Sequence, residues 1–135
     1  MKDRVFLDSN IILYCYAIDE PEKRKTALNV AQNPQTIVST QVLQEVSNIL
    51  RKKIRLPWDV IANIIDEIIE NNEVAKINIS TLRKAIQIAE RYQLQWFDSI
   101  IIASALEADC KVLFSEDLQH LLKIETLLIK NPFVK

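Results

Sequence analysis

The sequence predicts a three-layer α/β/α sandwich around a mainly parallel sheet of about five strands. Three observations lead there. Short apolar segments alternate with longer stretches whose apolar positions recur at helical spacing. The connections between the short segments are long enough to be crossover helices, which parallel pairing requires. Hydrophobic residues make up 49% of the 135, enough to cover a sheet on both faces. A chain of this length reads as a single domain, residues 1–135.

The elements follow in order. Residues 4–7 form a short apolar strand. Asp8, Ser9 and Asn10 are a turn with N-cap chemistry, and a helix begins over 11–18. Pro21 suits the first turn of a second helix, which runs to about Gln32. Residues 36–39 are the second strand, and Thr40 caps a helix over 41–53. Pro57 opens the next helix, in which Val60, Ile61, Ile64, Ile65, Ile68 and Ile69 keep helical spacing. Residues 74–77 are a third strand, 80–92 and 97–108 are helices, and 111–114 are a fourth strand. Residues 125–129 complete the sheet before an Asn131, Pro132, Phe133 tail.

Composition excludes several functions. The chain has no glycine, so no P-loop, dinucleotide fingerprint or nucleophile elbow is possible. Left-handed or cap positions are expected at Asn33-Pro34, Asn71-Asn72 and Ala108-Asp109 instead. The net charge is −1, which rules out coating nucleic acid by bulk positive charge. Cys15 and Cys110 lack metal or redox spacing and read as reduced thiols of a cytoplasmic protein. Residues 1–4 lead into only a short apolar stretch, so no secretory leader is expected. No apolar run reaches the ~18 residues of a membrane span.

Four acids carry the chemistry: Asp8, Glu45, Asp98 and Asp117. Asp8 directly follows the first strand, and Asp117 lies in the loop after the fourth. In open parallel sheets, sites form beyond the carboxyl ends of the strands. Glu45 lies in the row Val42, Glu45, Ile49 within an apolar stripe, and Asp98 heads the stripe Ile101, Ile102, Ala105, Leu106. Each has a plainer reading. Asp8 and Asp117 suit helix caps, with Asn10 an equally good cap that would free Asp8. Asp98 suits the helix macrodipole, and Glu45 an ion pair with Arg or Lys or a place at the border of a slightly rotated stripe. Together the four imply mutual repulsion, roughly 3 kcal/mol per pair at ~5 Å and an effective dielectric of ~20. A divalent cation relieves it, and hard oxygen donors select Mg²⁺ or Mn²⁺. Ser115 either hydrogen-bonds a ligand or caps the short turn that follows, and Glu116 is a substitute or fifth acid or a solvated loop residue.

These residues resemble a known family. The runs 5–10, 96–105 and 113–118, with Glu45 between them and the Asn131, Pro132, Phe133 ending, are similar to the PIN-domain ribonucleases. The likeness is greatest to the VapC-type toxins of toxin–antitoxin pairs. It covers essentially the whole chain. It implies that Asp8, Glu45, Asp98 and Asp117 are the metal-binding and catalytic acids, with Asn10, Ser115 and Glu116 in support. It implies an RNA substrate, Mg²⁺ or Mn²⁺ as cofactor, a cognate antitoxin partner and a homodimer. Ser115 stands where Thr is frequent and Ser99 where Ala is frequent, and neither removes a carboxylate.

The implied reaction is hydrolysis of an RNA phosphodiester, with the cation stabilising charge on the attacking and leaving oxygens. It needs no histidine base, and the single histidine, His120, reads as a surface or helix-end residue. Lys23-Arg24-Lys25 and Arg51-Lys52-Lys53 with Arg55 are either phosphate contacts or solvated faces. Trp58 and Trp96 read as core rather than as base-stacking surfaces. The alternative class is a non-catalytic interaction module on the same fold. A haloacid-dehalogenase-type phosphatase calls for Asp where the chain has Asn10, and a receiver domain needs an acidic pair after its first strand.

Overall fold

A computed structural model describes residues 3–135. Met1 and Lys2, which open both the expected domain and the segment read for a leader, lie outside the described residues. The chain runs β1 (Val5–Leu7), α1 (Ser9–Cys15), α2 (Pro21–Ala31), β2 (Thr36–Ser39), α3 (Thr40–Lys52) and α4 (Trp58–Asn71). It continues with β3 (Glu73–Ala75), α5 (Ile79–Tyr92), α6 (Trp96–Glu107), β4 (Val112–Phe114), β5 (Lys123–Ile124) and β6 (Leu127–Lys130). The strands form one sheet in the order β3-β2-β1-β4-β6-β5, parallel except at β5–β6.

The sheet is flanked by helices because its central strands carry apolar side chains on both faces. Phe6, Leu7, Ile37, Val38, Leu113 and Ile129 are all fully buried. That two-sided burial is the signature of parallel strands covered by crossover helices. The α3, α4 and α5 helices bury only one stripe each, including Val42, Val46, Leu50, Ile61, Ile68, Ala85 and Ile88. The α6 helix is different, with every residue from Ser99 to Ala105 buried. No helix of the described residues is long and apolar enough to cross a membrane.

Six strands replace the expected five. The expected strand over 125–129 forms as β6, and the added strand β5 precedes it across a turn at Glu125, where φ is 54°. Lys123 then pairs back on Leu128 and Ile124 on Leu127 in a short antiparallel hairpin. An Ile124 that is fully buried on the sheet edge makes the turn worthwhile.

Without glycine, left-handed positions fall on Arg55, Gln93, Asp109, Leu121 and Glu125. Of the expected positions only Asp109 is among them. Asn33 uses its side chain instead, accepting from the Gln35 amide at 3.1 Å, and Asn72 is extended with its side chain donating to the Ile68 carbonyl at 2.9 Å. A side-chain amide that satisfies the local backbone removes the need for positive φ. The α3 cap is Ser39, whose Oγ accepts from the Val42 amide, while Thr40 accepts from Ile77. The tryptophans are not core: Trp58 is 61% exposed and Trp96 40% exposed. Arg51 covers Trp58 at 5.1 Å, a cation–π contact that keeps the ring at the surface. Cys15 and Cys110 are free thiols, and burial pushes Cys110 up to about 12 and Cys15 up to about 11.

Candidate metal centre

The site is built by register. Leu7 pairs with Phe114, and Phe114 with Lys130, so the residues that follow β1, β4 and β6 emerge side by side at one sheet edge. The Asp8 amide donates to the Phe114 carbonyl at 3.0 Å, and the Ser115 amide to the Lys130 carbonyl at 3.0 Å. Two residues 107 positions apart, Asp8 and Ser115, are thereby brought into contact.

Asp8 is 7% exposed and caps α1. Its Oδ1 accepts from the Ser9 amide at 2.7 Å and its Oδ2 from the Ser115 hydroxyl at 2.7 Å. Burial raises its carboxyl to about 6, against those two hydrogen bonds, and the charges of Glu45 and Asp117 push the same way as burial. Asp98, half-buried in the first turn of α6, is also raised by burial and then by the Asp117 and Glu45 charges. Each of these acids feels two of the others, so all four share one electrostatic site.

The remaining members are held by neutral donors. Glu45 accepts from the Ser9 hydroxyl at 2.9 Å and from Gln41 Nε2 at 2.9 Å. Asp117 is exposed and accepts from Asn10 Nδ2 at 3.2 Å. Asn10 is therefore not the α1 cap that would have freed Asp8. It reaches across to the 115–117 loop, where its Oδ1 also accepts from the Glu116 amide at 3.1 Å. The Ser115 hydroxyl donates to Asp8 and accepts from Asn10 Nδ2 at 3.4 Å and the Asp117 amide at 3.2 Å, which uses its full capacity.

Glu116 turns away from this group. Lys23 Nζ donates to its Oε2 at 2.5 Å and the Tyr14 hydroxyl to its Oε1 at 2.6 Å. Burial alone would raise its carboxyl, but those two bonds and the Lys23 charge outweigh burial and hold it below the usual range. Lys23 also lies over the rings of Tyr14 and Phe133, at 4.7 and 5.4 Å. By contrast, among the described residues no Lys, Arg or His pairs with Asp8, Glu45, Asp98 or Asp117.

A cluster of carboxylates with no cationic partner, all of whose donors are oxygens, fits a hard divalent ion. Among the described residues no three Asp, Glu, His or Cys side chains are grouped closely enough to enclose one. The four acids thus share one field without forming a closed cage in this arrangement. The basic run from Arg51 to Arg55 is placed elsewhere. The α3 helix starts at the site edge, and Arg51 lies ten residues beyond Gln41, ~15 Å along the axis. His120 is exposed, and its Nδ1 accepts from the Asn131 amide at 3.0 Å.

Sequence reasoning gave no role at the site to Ser9 or Gln41, and it read Lys23 as a phosphate contact or a solvated residue where the structure pairs it with Glu116. The signal for Gln41 was present: it sits one helical turn before Glu45, at i and i+4. Ser9 and Lys23 act across 36 and 93 positions, where spacing carries no signal.

Comparison with known proteins gives the family and the fold. No curated protein matches the chain. Among solved structures, a toxin–antitoxin complex from Klebsiella pneumoniae aligns with TM-score 0.73 and 18% identity, over 96% of this chain and 98% of that one. The sarcin-ricin loop cleaving toxin VapC20 from Mycobacterium tuberculosis aligns with TM-score 0.66 and 16% identity, over 84% and 91%. VapBC2 from Rickettsia felis, bound to a promoter DNA fragment, aligns with TM-score 0.67 and 16% identity, over 94% and 97%. At these identities the likeness establishes the fold. The family model described as "PIN domain" matches residues 5–125, nearly the whole chain, and the protein therefore belongs to the PIN-domain family.

Proposed function

We propose that this chain is a metal-dependent endoribonuclease and the toxin of a toxin–antitoxin pair, working as one domain. The observation that carries the reading is a buried Asp8 sharing its site with three further acids and, among the described residues, no cationic partner. A fold selected for stability alone would pair such charges or lose them. The structural neighbours include a toxin–antitoxin complex and a sarcin-ricin loop cleaving toxin, which supports an antitoxin partner and a nucleic-acid substrate, read here as RNA. Homodimerisation and a cytoplasmic setting belong to the same reading.

Each residue has a defined task. Asp8, Glu45, Asp98 and Asp117 would hold Mg²⁺ or Mn²⁺, and a bound ion there supplies charge screening for the phosphate and activation of water. Until then, four negative side chains repel an anionic substrate. Ser9 orients two of the acids at once, giving its amide to Asp8 and its hydroxyl to Glu45. Ser115 holds Asp8 as an acceptor, because its single hydroxyl proton is committed to Oδ2. Asn10 fixes the exposed Asp117 from α1. Glu116 supports from outside, anchoring the loop through Lys23 and Tyr14.

The test is incubation of purified protein with total RNA, with and without Mn²⁺, EDTA and the Asp8→Asn variant, followed by mapping of the ends. New ends that need Mn²⁺ and Asp8 are expected. Cleavage by Asp8→Asn or Asp98→Asn at the wild-type rate would end the enzyme reading.

A further inference from the structure

Gln41 is a buried polar side chain, 9% exposed, at the start of α3. Its Nε2 donates to Glu45 Oε1 at 2.9 Å and to the Phe97 carbonyl at 3.2 Å. Both partners are acceptors, so the amide is fixed this way round. One side chain thus ties α3 to the first turn of α6, next to Asp98. It spans the two acids that come from helices rather than from strand ends.

Its other atom is the anomaly. Gln41 Oε1 is the one buried side-chain polar atom among the described residues without a hydrogen-bond partner. Buried polar atoms are normally satisfied, because an orphaned acceptor has lost its water without replacement. The oxygen accepts no hydrogen bond, yet the amide nitrogen of the same side chain donates to a site carboxylate.

We propose that Gln41 is a positioning residue that sets Glu45 and the Asp98 end of α6 at the spacing a divalent cation needs, at the expense of one unsatisfied oxygen. This rests on the reading of the acids as a cation site. Gln41 acts through Glu45 and through the α6 backbone, and it supplies no charge. Partners of this kind, one step removed from the ion, typically carry 10–100-fold in metal affinity.

The experiment uses the full chain, with Gln41→Met and Gln41→Leu as two apolar replacements of similar size. Mn²⁺ affinity is measured by calorimetry, and thermal stability is measured separately in EDTA. The expected result is a dissociation constant weakened about tenfold or more, with a metal-free Tm equal to or above wild type. A Glu45→Gln background should shrink the Gln41→Met effect on affinity, since the residue works through Glu45. Unchanged Mn²⁺ affinity in both replacements would overturn the proposal. So would a full-sized effect in the Glu45→Gln background, or weakened affinity that only tracks a fall in metal-free Tm. If wild type itself binds no Mn²⁺, the cation reading of the site fails and this inference with it. If wild type binds and the replacements bind equally well, the inference alone is lost.

Discussion

Glu116 and Asp117 are adjacent in the chain and belong to opposite kinds of environment. Glu116 is held by an ammonium and a phenol, in a corner closed by Tyr14, Lys23 and Phe133. Asp117 faces the other way, toward acids, and its side chain has only an amide partner from Asn10. The first corner resembles any ion pair that fastens a loop. The second accumulates like charge that the fold does not neutralise. Charge type therefore says little here. The partner set separates an acid neutralised by a cation from one left among like charges.

The largest test of that contrast compares the two acids directly. Asp8→Asn should lower RNA cleavage by more than the ~10–100-fold that supporting partners carry, while Glu116→Gln should leave most of the activity and lower Tm. Equal losses of activity from both would erase the distinction. Next comes metal binding: Mn²⁺ at about a hundredfold over its dissociation constant should add roughly 2.7 kcal/mol of stability. Calorimetric scans should find that gain retained in Glu116→Gln and reduced in Asp98→Asn.

The pH dependence of the metal-free protein should differ in sign between the two regions. Asp8 is raised from 3.8 to about 6, so its protonated form stabilises the fold below about 4, and that contribution is lost as pH rises through about 6. Relative to Asp8→Asn, wild type should gain on the order of 2–3 kcal/mol between pH 6 and 4. Glu116 is lowered, so its contribution is present above its ordinary value of 4.5 and fades as pH falls below that. Denaturant titrations of the two variants across pH 3.5–7 read both trends, and parallel curves would refute them.

The smallest effect serves as a control away from both regions. Gln93 ends α5 in a left-handed conformation with φ 54°, where glycine is the usual residue. Gln93→Gly should stabilise by about 0.5 kcal/mol in denaturant melts, net of the lost Nε2 bond to Glu90. Cleavage and Mn²⁺ affinity should not move.

Much of this protein was legible in its residues. The alternation of strands and helices is written in local apolar periodicity, which needs no partner to be read. The placement of Asp8 and the loop bearing Asp117 at one sheet edge follows from parallel strands and right-handed crossovers. Glu45 and Asp98 stood out because an acid within an apolar stripe is costly wherever it folds.

Other features had no local cause. The turn at Glu125, the choice of Asp8 over Asn10 as cap, and the surface positions of Trp58 and Trp96 depend on what packs opposite them. The parting of Glu116 from Asp117 depends on Lys23 and Asn10, 93 and 107 positions away in sequence. The tie from Gln41 Nε2 to the Phe97 carbonyl joins residues 56 positions apart, because α6 packs beside the start of α3. Periodicity and capping are encoded over a few neighbouring residues. Which donor meets which acceptor is decided by distant segments arriving together, and only the folded chain contains that information.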